Sequence, residues 1–130
     1  SESNMENYEI NLNEAIKLYN NKELKIIDIR TINEWQMTGV VPDSFLINMH
    51  NEDYSESTDF VKRIKSVLDQ NKNSKIAFIC ASGARSELVT EYFLNQSYKD
   101  IFHIPEGIIG KEKNGWLYLG FPLKEFKKKD

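Results

Sequence analysis

The chain has 130 residues, of which 40% are hydrophobic and 28% charged, and a net charge of −3. That length suits one domain able to bury a core without staples, and the composition excludes a disordered chain and a membrane span. The acidic balance argues against a nucleic-acid surface. The single cysteine, Cys80, excludes an intramolecular disulfide, and His50 and His103 are too isolated for a metal site.

Ser1–Asn7 is polar and is expected to be a flexible N-terminal segment. It lacks the basic start and apolar core of an export signal. A soluble cytoplasmic protein is the default expectation, with a periplasmic or exported protein whose signal has been removed as the alternative. Tyr8–Ile10 reads as a short extended piece. Asn11, with Glu14 three residues on, reads as the cap of a helix that carries Leu12, Ala15, Ile16 and Tyr19 on one face and ends at Asn20-Asn21. Lys25–Ile29 is a β-branched apolar run and predicts a strand. Thr31 and Glu34 form a capping-box pattern opening a short helix to about Met37, which Gly39 closes. Phe45–Asn48 is expected to be a strand. Phe60, Ile64, Val67 and Leu68 define an amphipathic helix over Asp59–Gln70, with Arg63 on its exposed side.

Lys75–Cys80 has the strongest strand pattern, and no apolar run here exceeds Ile76–Ala81. After a loop, a helix is expected over Ser86–Asn95 with Leu88, Val89, Tyr92 and Phe93 on its buried side. Ile101–Ile104 predicts a last strand. The glycines and Pro122 beyond Pro105 predict broken structure, and Lys127, Lys128 and Lys129 a solvated end. Strands alternating with helices indicate an α/β domain with a mostly parallel sheet. Its reactive crevice is expected beyond the carboxyl ends of the strands, where Cys80 falls.

The chemical information is concentrated in Cys80-Ala81-Ser82-Gly83-Ala84-Arg85-Ser86. The small residues Ala81, Ser82, Gly83 and Ala84 let the backbone curl, and Gly83 can take a positive φ. The N–H groups of such a curl, together with the start of a helix, make an anion-binding nest that favours a thiolate and any anion carried on its sulfur. Arg85 adds a permanent positive charge, to bind the anionic end of a donor or to hold the loop. A lone cysteine ending a buried strand is often an inert small hydrophobe, but such a position has no use for a run of small and charged neighbours. Cysteine-dependent phosphatases place five residues between Cys and Arg; four intervene here. The shorter loop suits a smaller group than phosphate, such as the outer sulfur of a persulfide.

Beyond the loop, the chain carries Asp28-Ile29-Arg30-Thr31 with Glu34-Trp35, Gly39-Val40-Val41-Pro42-Asp43-Ser44, Glu106-Gly107-Ile108, and Trp116, Gly120 and Pro122. In this order these elements resemble the rhodanese family, the single-domain sulfurtransferases. Val40 and Asp43 replace the family's usual histidine and glycine, Ile108 stands where a second glycine is common, and extra residues around Gly110–Gly115 precede Trp116. The resemblance implies a single rhodanese-like domain over residues 8–124, a mostly parallel central sheet flanked by helices on both faces, and a basic tail over 125–130.

It also implies a reaction. Cys80 takes the outer sulfur of thiosulfate or of a polysulfide or persulfide donor, holds it as a persulfide, and passes it to a thiophilic acceptor, cyanide or a thiol. The amides of Ala81, Ser82, Gly83, Ala84, Arg85 and Ser86 are expected to hold the persulfide, and no cofactor or metal is required. A protein acceptor is a further possibility, and no nucleic acid or membrane partner is implied. Asp28 and Arg30 are read as structural support, with Arg30 in a bidentate contact that Lys would not replace. Ser86 is read either as a donor to the sulfur or as a helix cap, and Ser82 as a second donor. Trp35 and Trp116 are read as packing, His103 as a hydrogen-bonded strand-end residue, and Glu52, Asp53 and Glu56 as a solvated acidic patch. The competing functions are a persulfide carrier or sulfur sensor with little turnover, and an arsenate reductase or phosphatase using the same cradle.

Overall fold

Two β-branched runs form the centre of the molecule. In the computed structural model, which describes residues 2–128, strands β1 (Lys25–Asp28) and β3 (Ile76–Ile79) run parallel, with Ile27 opposite Phe78. Strand β2 (Phe45–Leu46) lies beyond β1 and β4 (Ile101–His103) beyond β3, giving a four-stranded parallel sheet in the order β2-β1-β3-β4. Parallel neighbours require crossovers, and the helices α2 (Ile32–Thr38), α3 (Phe60–Gln70) and α4 (Ala84–Leu94) lie in the three connections, while α1 (Leu12–Asn20) precedes β1.

All four residues of β3 are buried, as in a sheet covered on both faces. The pleat sends Ile27, Phe78 and Cys80 into one core with Ile64 and Leu68 of α3 and Val89 and Phe93 of α4. It sends Ile26, Ala77 and Ile79 into a second core with Leu12 and Ala15 of α1, Ile104, Ile108 and Trp116. No described helix is long and apolar enough to cross a membrane.

The helix starts follow their capping residues. Asn11 accepts the Glu14 N–H at 2.9 Å, and Thr31 and Glu34 form the full reciprocal box at the start of α2. Helix α4 differs from expectation. It begins at Ala84, and its buried face is Ser86, Val89, Thr90 and Phe93, while Leu88 and Tyr92 are exposed. The polar Ser86 and Thr90 take inner positions because both bond within the site, Thr90 Oγ1 donating to the Ser86 carbonyl at 2.7 Å. Counting apolar residues therefore places Val89 and Phe93 correctly but turns the rest of the face toward Leu88 and Tyr92. Arg63 is half-buried rather than exposed, donating to Asn48 Oδ1 and to the Leu46 carbonyl beside β2.

Both chain ends are more engaged than expected. Glu2–Tyr8 winds as a 3-10 helix rather than a loose segment, and Met5 is buried. Glu9 then bridges His103 in parallel, and Ile10 donates to the His103 carbonyl at 2.9 Å. At the other end, Lys124 and Val40 exchange backbone hydrogen bonds, and the Phe126 ring packs edge-on against Trp35 at 5.4 Å. Packed chain thus runs past residue 124. Ser1, Lys129 and Asp130 lie outside the described residues.

Candidate active site

Cys80 follows the last residue of β3 and is 1% exposed. Its Sγ accepts the N–H of Gly83 at 3.2 Å and of Ser86 at 3.3 Å, and lies 3.4 Å from Ser86 Oγ. Of the amides from Ala81 to Ser86, those of Gly83 and Ser86 reach the sulfur. Gly83 has φ +97°, and a Cβ there would lie 2.3 Å from the Pro105 carbonyl oxygen, so glycine alone fits the bend. The sulfur therefore sits among inward-pointing donors at the start of α4, an arrangement that stabilises negative charge on it.

The loop is clamped from behind. Ile108 donates to the Cys80 carbonyl and Ile109 to the Ala81 carbonyl, both at 2.9 Å. Ser82 Oγ donates to the Gly110 carbonyl at 3.0 Å, so this hydroxyl is committed to the clamp rather than to the sulfur. Ala84 is the first residue of α4.

Arg85 turns to Glu34. The two side chains meet fork to fork, Nη1 to Oε1 at 2.8 Å and Nη2 to Oε2 at 2.9 Å, tying the start of α4 to that of α2. This contact holds the loop; the guanidinium is bound to a carboxylate of the chain itself. A cavity of ≈ 570 Å³ opens beside the pair, with His50, Glu52 and the exposed Met37 and Tyr54 on its walls. Glu52 thus shares a rim with Arg85, whereas Asp53 is held by Ser55.

Burial alone would raise the Glu34 carboxyl. Hydrogen bonds from Arg85 and Thr31, with the Arg85 charge, outweigh burial and hold it at about 2, below its ordinary 4.5. Burial also lowers His103 to about 4 from 6.5. In both cases the unfolded chain binds the proton more readily, so stability rises with pH across each window. The His103 contribution is complete above pH 6.5 and is lost towards pH 4; that of Glu34 is complete above pH 4.5 and is lost towards pH 2. Thermal melts from pH 7 to pH 2.5 are expected to show both losses. Glu34→Gln should remove the lower one and cost about 1–2 kcal/mol at pH 7.

Asp28 and Arg30 stand together at the end of β1, both essentially inaccessible. Arg30 Nη2 meets Asp28 Oδ2 at 2.9 Å and Nε meets Oδ1 at 3.1 Å. The guanidinium also donates to Thr38 Oγ1 and to the Gly39 carbonyl, which fastens the end of α2. So many donors placed by one planar group is what lysine cannot supply. Trp116 is fully buried with Nε1 donating to the Pro122 carbonyl at 2.7 Å, and Trp35 is buried against Phe126.

The residue underestimated in the sequence is His103. Its ring is 2% exposed, and Nδ1 lies 3.1 Å from Ser86 Oγ, one hydrogen bond removed from the sulfur. The signal is the pleat: Ile101 and His103 share a face of β4, and His103 pairs in register with Phe78, two residues before Cys80. Recognising it required the β3–β4 register, which no single-sequence pattern provides.

A family model described as "Rhodanese-like domain" matches residues 11–110. The chain belongs to this family. Among its relatives, a tRNA uridine(34) hydroxylase of Picosynechococcus is 32% identical over 92 residues, covering 71% of this chain and 29% of the hydroxylase. The chain therefore spans only that fraction of this relative's length. The crystal structure of Rv0390 from M. tuberculosis has a TM-score of 0.74 at 19% identity, covering 91% of this chain and 97% of that one. A thiosulfate sulfurtransferase from Pseudomonas aeruginosa has a TM-score of 0.68 at 20% identity, covering 90% of this chain and 20% of its own. At these identities the two structures establish the fold.

The departures from the rhodanese pattern have structural counterparts. Asp43, in place of the usual glycine, takes φ +68°, a region Asp tolerates better than most side chains. Val40 pairs with Lys124, so its turn is fixed to the C-terminal segment. The extra residues form a small turn, Gly110 bridging Asn114, fastened to the Cys80 loop through Ser82.

Proposed function

We propose that this rhodanese-like domain is a sulfurtransferase that carries a sulfane sulfur on Cys80. The observation behind this reading is the pair of backbone N–H groups, from Gly83 and Ser86, directed at the sulfur of the chain's single cysteine. The Cys80 thiolate attacks the outer sulfur of a donor such as thiosulfate or a polysulfide. A new S–S bond forms to Cys80, the donor's S–S bond breaks, and sulfite or a shortened polysulfide leaves with the electron pair. The terminal sulfur of the persulfide carries the negative charge, which the loop donors stabilise as an oxyanion hole would. An acceptor nucleophile, cyanide or a thiol, then attacks that sulfur and releases the Cys80 thiolate.

The deep seat of Cys80 favours slender donors. With no second cysteine in the chain, the acceptor must come from outside it. Steady-state thiocyanate formation from cyanide tests the reading, with thiosulfate and polysulfide compared as donors. Turnover on either is expected, with polysulfide the better substrate. Loading without turnover on either donor would instead indicate a persulfide carrier that serves a protein acceptor.

A further inference from the structure

A buried line of polar groups runs from the active sulfur to the opposite side of β4. Cys80 Sγ is 3.4 Å from Ser86 Oγ, Ser86 Oγ is 3.1 Å from His103 Nδ1, and His103 Nε2 is 3.6 Å from Glu9 Oε2. Cys80, Ser86 and His103 are each at most 2% exposed, whereas the Glu9 side chain is 40% exposed. His103 Nε2 has no hydrogen-bond partner, an unusual condition for so buried an atom.

Hydrogen-bond accounting limits what this line can do. Ser86 has one hydroxyl proton and three neighbours that can take it: the sulfur, His103 Nδ1 and the Gly83 carbonyl at 3.2 Å. With Cys80 as a thiol, S–H donates to Ser86 Oγ, and Ser86 O–H is free to donate to a bare Nδ1. With Cys80 as a thiolate, Ser86 O–H turns to the sulfur. Nδ1 must then carry a hydrogen, or two lone pairs would face each other at hydrogen-bond distance.

From this geometry we infer that His103 is a positioning residue for Cys80, acting through Ser86 by exchanging its two neutral tautomers as the thiol ionises. The protons balance along the line. The Cys80 proton passes to Ser86 Oγ, the Ser86 proton to His103 Nδ1, and the Nε2 proton to the Glu9 carboxylate and then to water. The sulfur gains a negative charge, Glu9 is neutral only until its proton leaves for water, and the ring is never an imidazolium. Burial of the ring, which lowers His103 to about 4, suits a group that works uncharged. Glu9 is raised by burial and by Glu87 of α4, Glu6 of the 3-10 helix and Glu106 after β4, which suits it to take a proton. Lys111, Glu112 and Lys113 line the open cavity on the Glu9 side.

The inference rests on the reading of Cys80 as the reactive group, but its test uses no sulfur donor. The whole chain, 15N-labelled in histidine, is titrated while thiolate is followed by its absorbance at 240 nm. His103 is expected to stay neutral and to move its proton from Nε2 to Nδ1 at the pH where the thiolate appears; in Cys80→Ser no such change should occur. A single His103 tautomer throughout, or an imidazolium at that midpoint, would overturn it. As a second readout, His103→Leu should slow Cys80 alkylation by iodoacetamide at pH 7 about tenfold or more. His103→Asn, which can return an N–H to Ser86, should recover most of that rate. An unchanged rate in His103→Leu would equally overturn it. A tautomer change in a protein that takes up no sulfur would sink the sulfurtransferase reading and leave this one standing.

Discussion

Gly83→Ala is expected to destabilise the domain by about 2–5 kcal/mol, combining backbone strain with overpacking. The new Cβ would lie 2.3 Å from the Pro105 carbonyl oxygen and 3.1 Å from its carbon, and both are backbone atoms that cannot rotate away. The native φ of +97° is strained for any L side chain, whatever the space around it. Relief requires the loop to shift, and the Gly83 N–H now 3.2 Å from the sulfur would shift with it. The substitution should therefore reduce sulfur uptake as well as stability, to be measured by urea unfolding and by persulfide formation under conditions where the variant is folded. A variant with unaltered stability and uptake would show that the loop does not need this bend.

Much of the fold was legible because local and global preferences agree. The β-branched runs around Ile27 and Phe78 can serve only as buried strands, and Thr31 with Glu34 marks the start of α2 by a mechanism confined to four residues. The Cys80 loop was legible for the same reason: small residues, a glycine and a following helix specify a bend with inward amides. What escaped depended on partners distant in sequence. The inner face of α4 is polar because Ser86 and Thr90 have partners in the site and its neighbouring strand, and apolar periodicity does not register that. The sequence leaves Arg85 open between binding a donor anion and holding the loop, and only the contact with Glu34, 51 residues away, decides for the second. The N-terminal segment looked flexible because its polar composition hides Met5, and the place of His103 depends on how β4 pairs with β3.

Cys80→Ser is expected to remove sulfur uptake completely while leaving the fold in place. Serine keeps the shape of the side chain, and its smaller oxygen can accept the Gly83 and Ser86 N–H groups that now reach the sulfur, so the hydroxyl is not left without partners. A serine hydroxyl, however, is far less acidic than a thiol and does not ionise near neutral pH, so the nucleophile is lost. The Gly83 and Ser86 amides would then face a neutral hydroxyl.

The most direct measurement is intact-protein mass spectrometry of the native chain and of Cys80→Ser after exposure to thiosulfate and to polysulfide. The native chain should gain the mass of one sulfur, lost again on adding cyanide, and Cys80→Ser should gain none. Equal sulfur uptake by both, or none by the native chain from either donor, would contradict the assignment of Cys80 as the sulfur-carrying group.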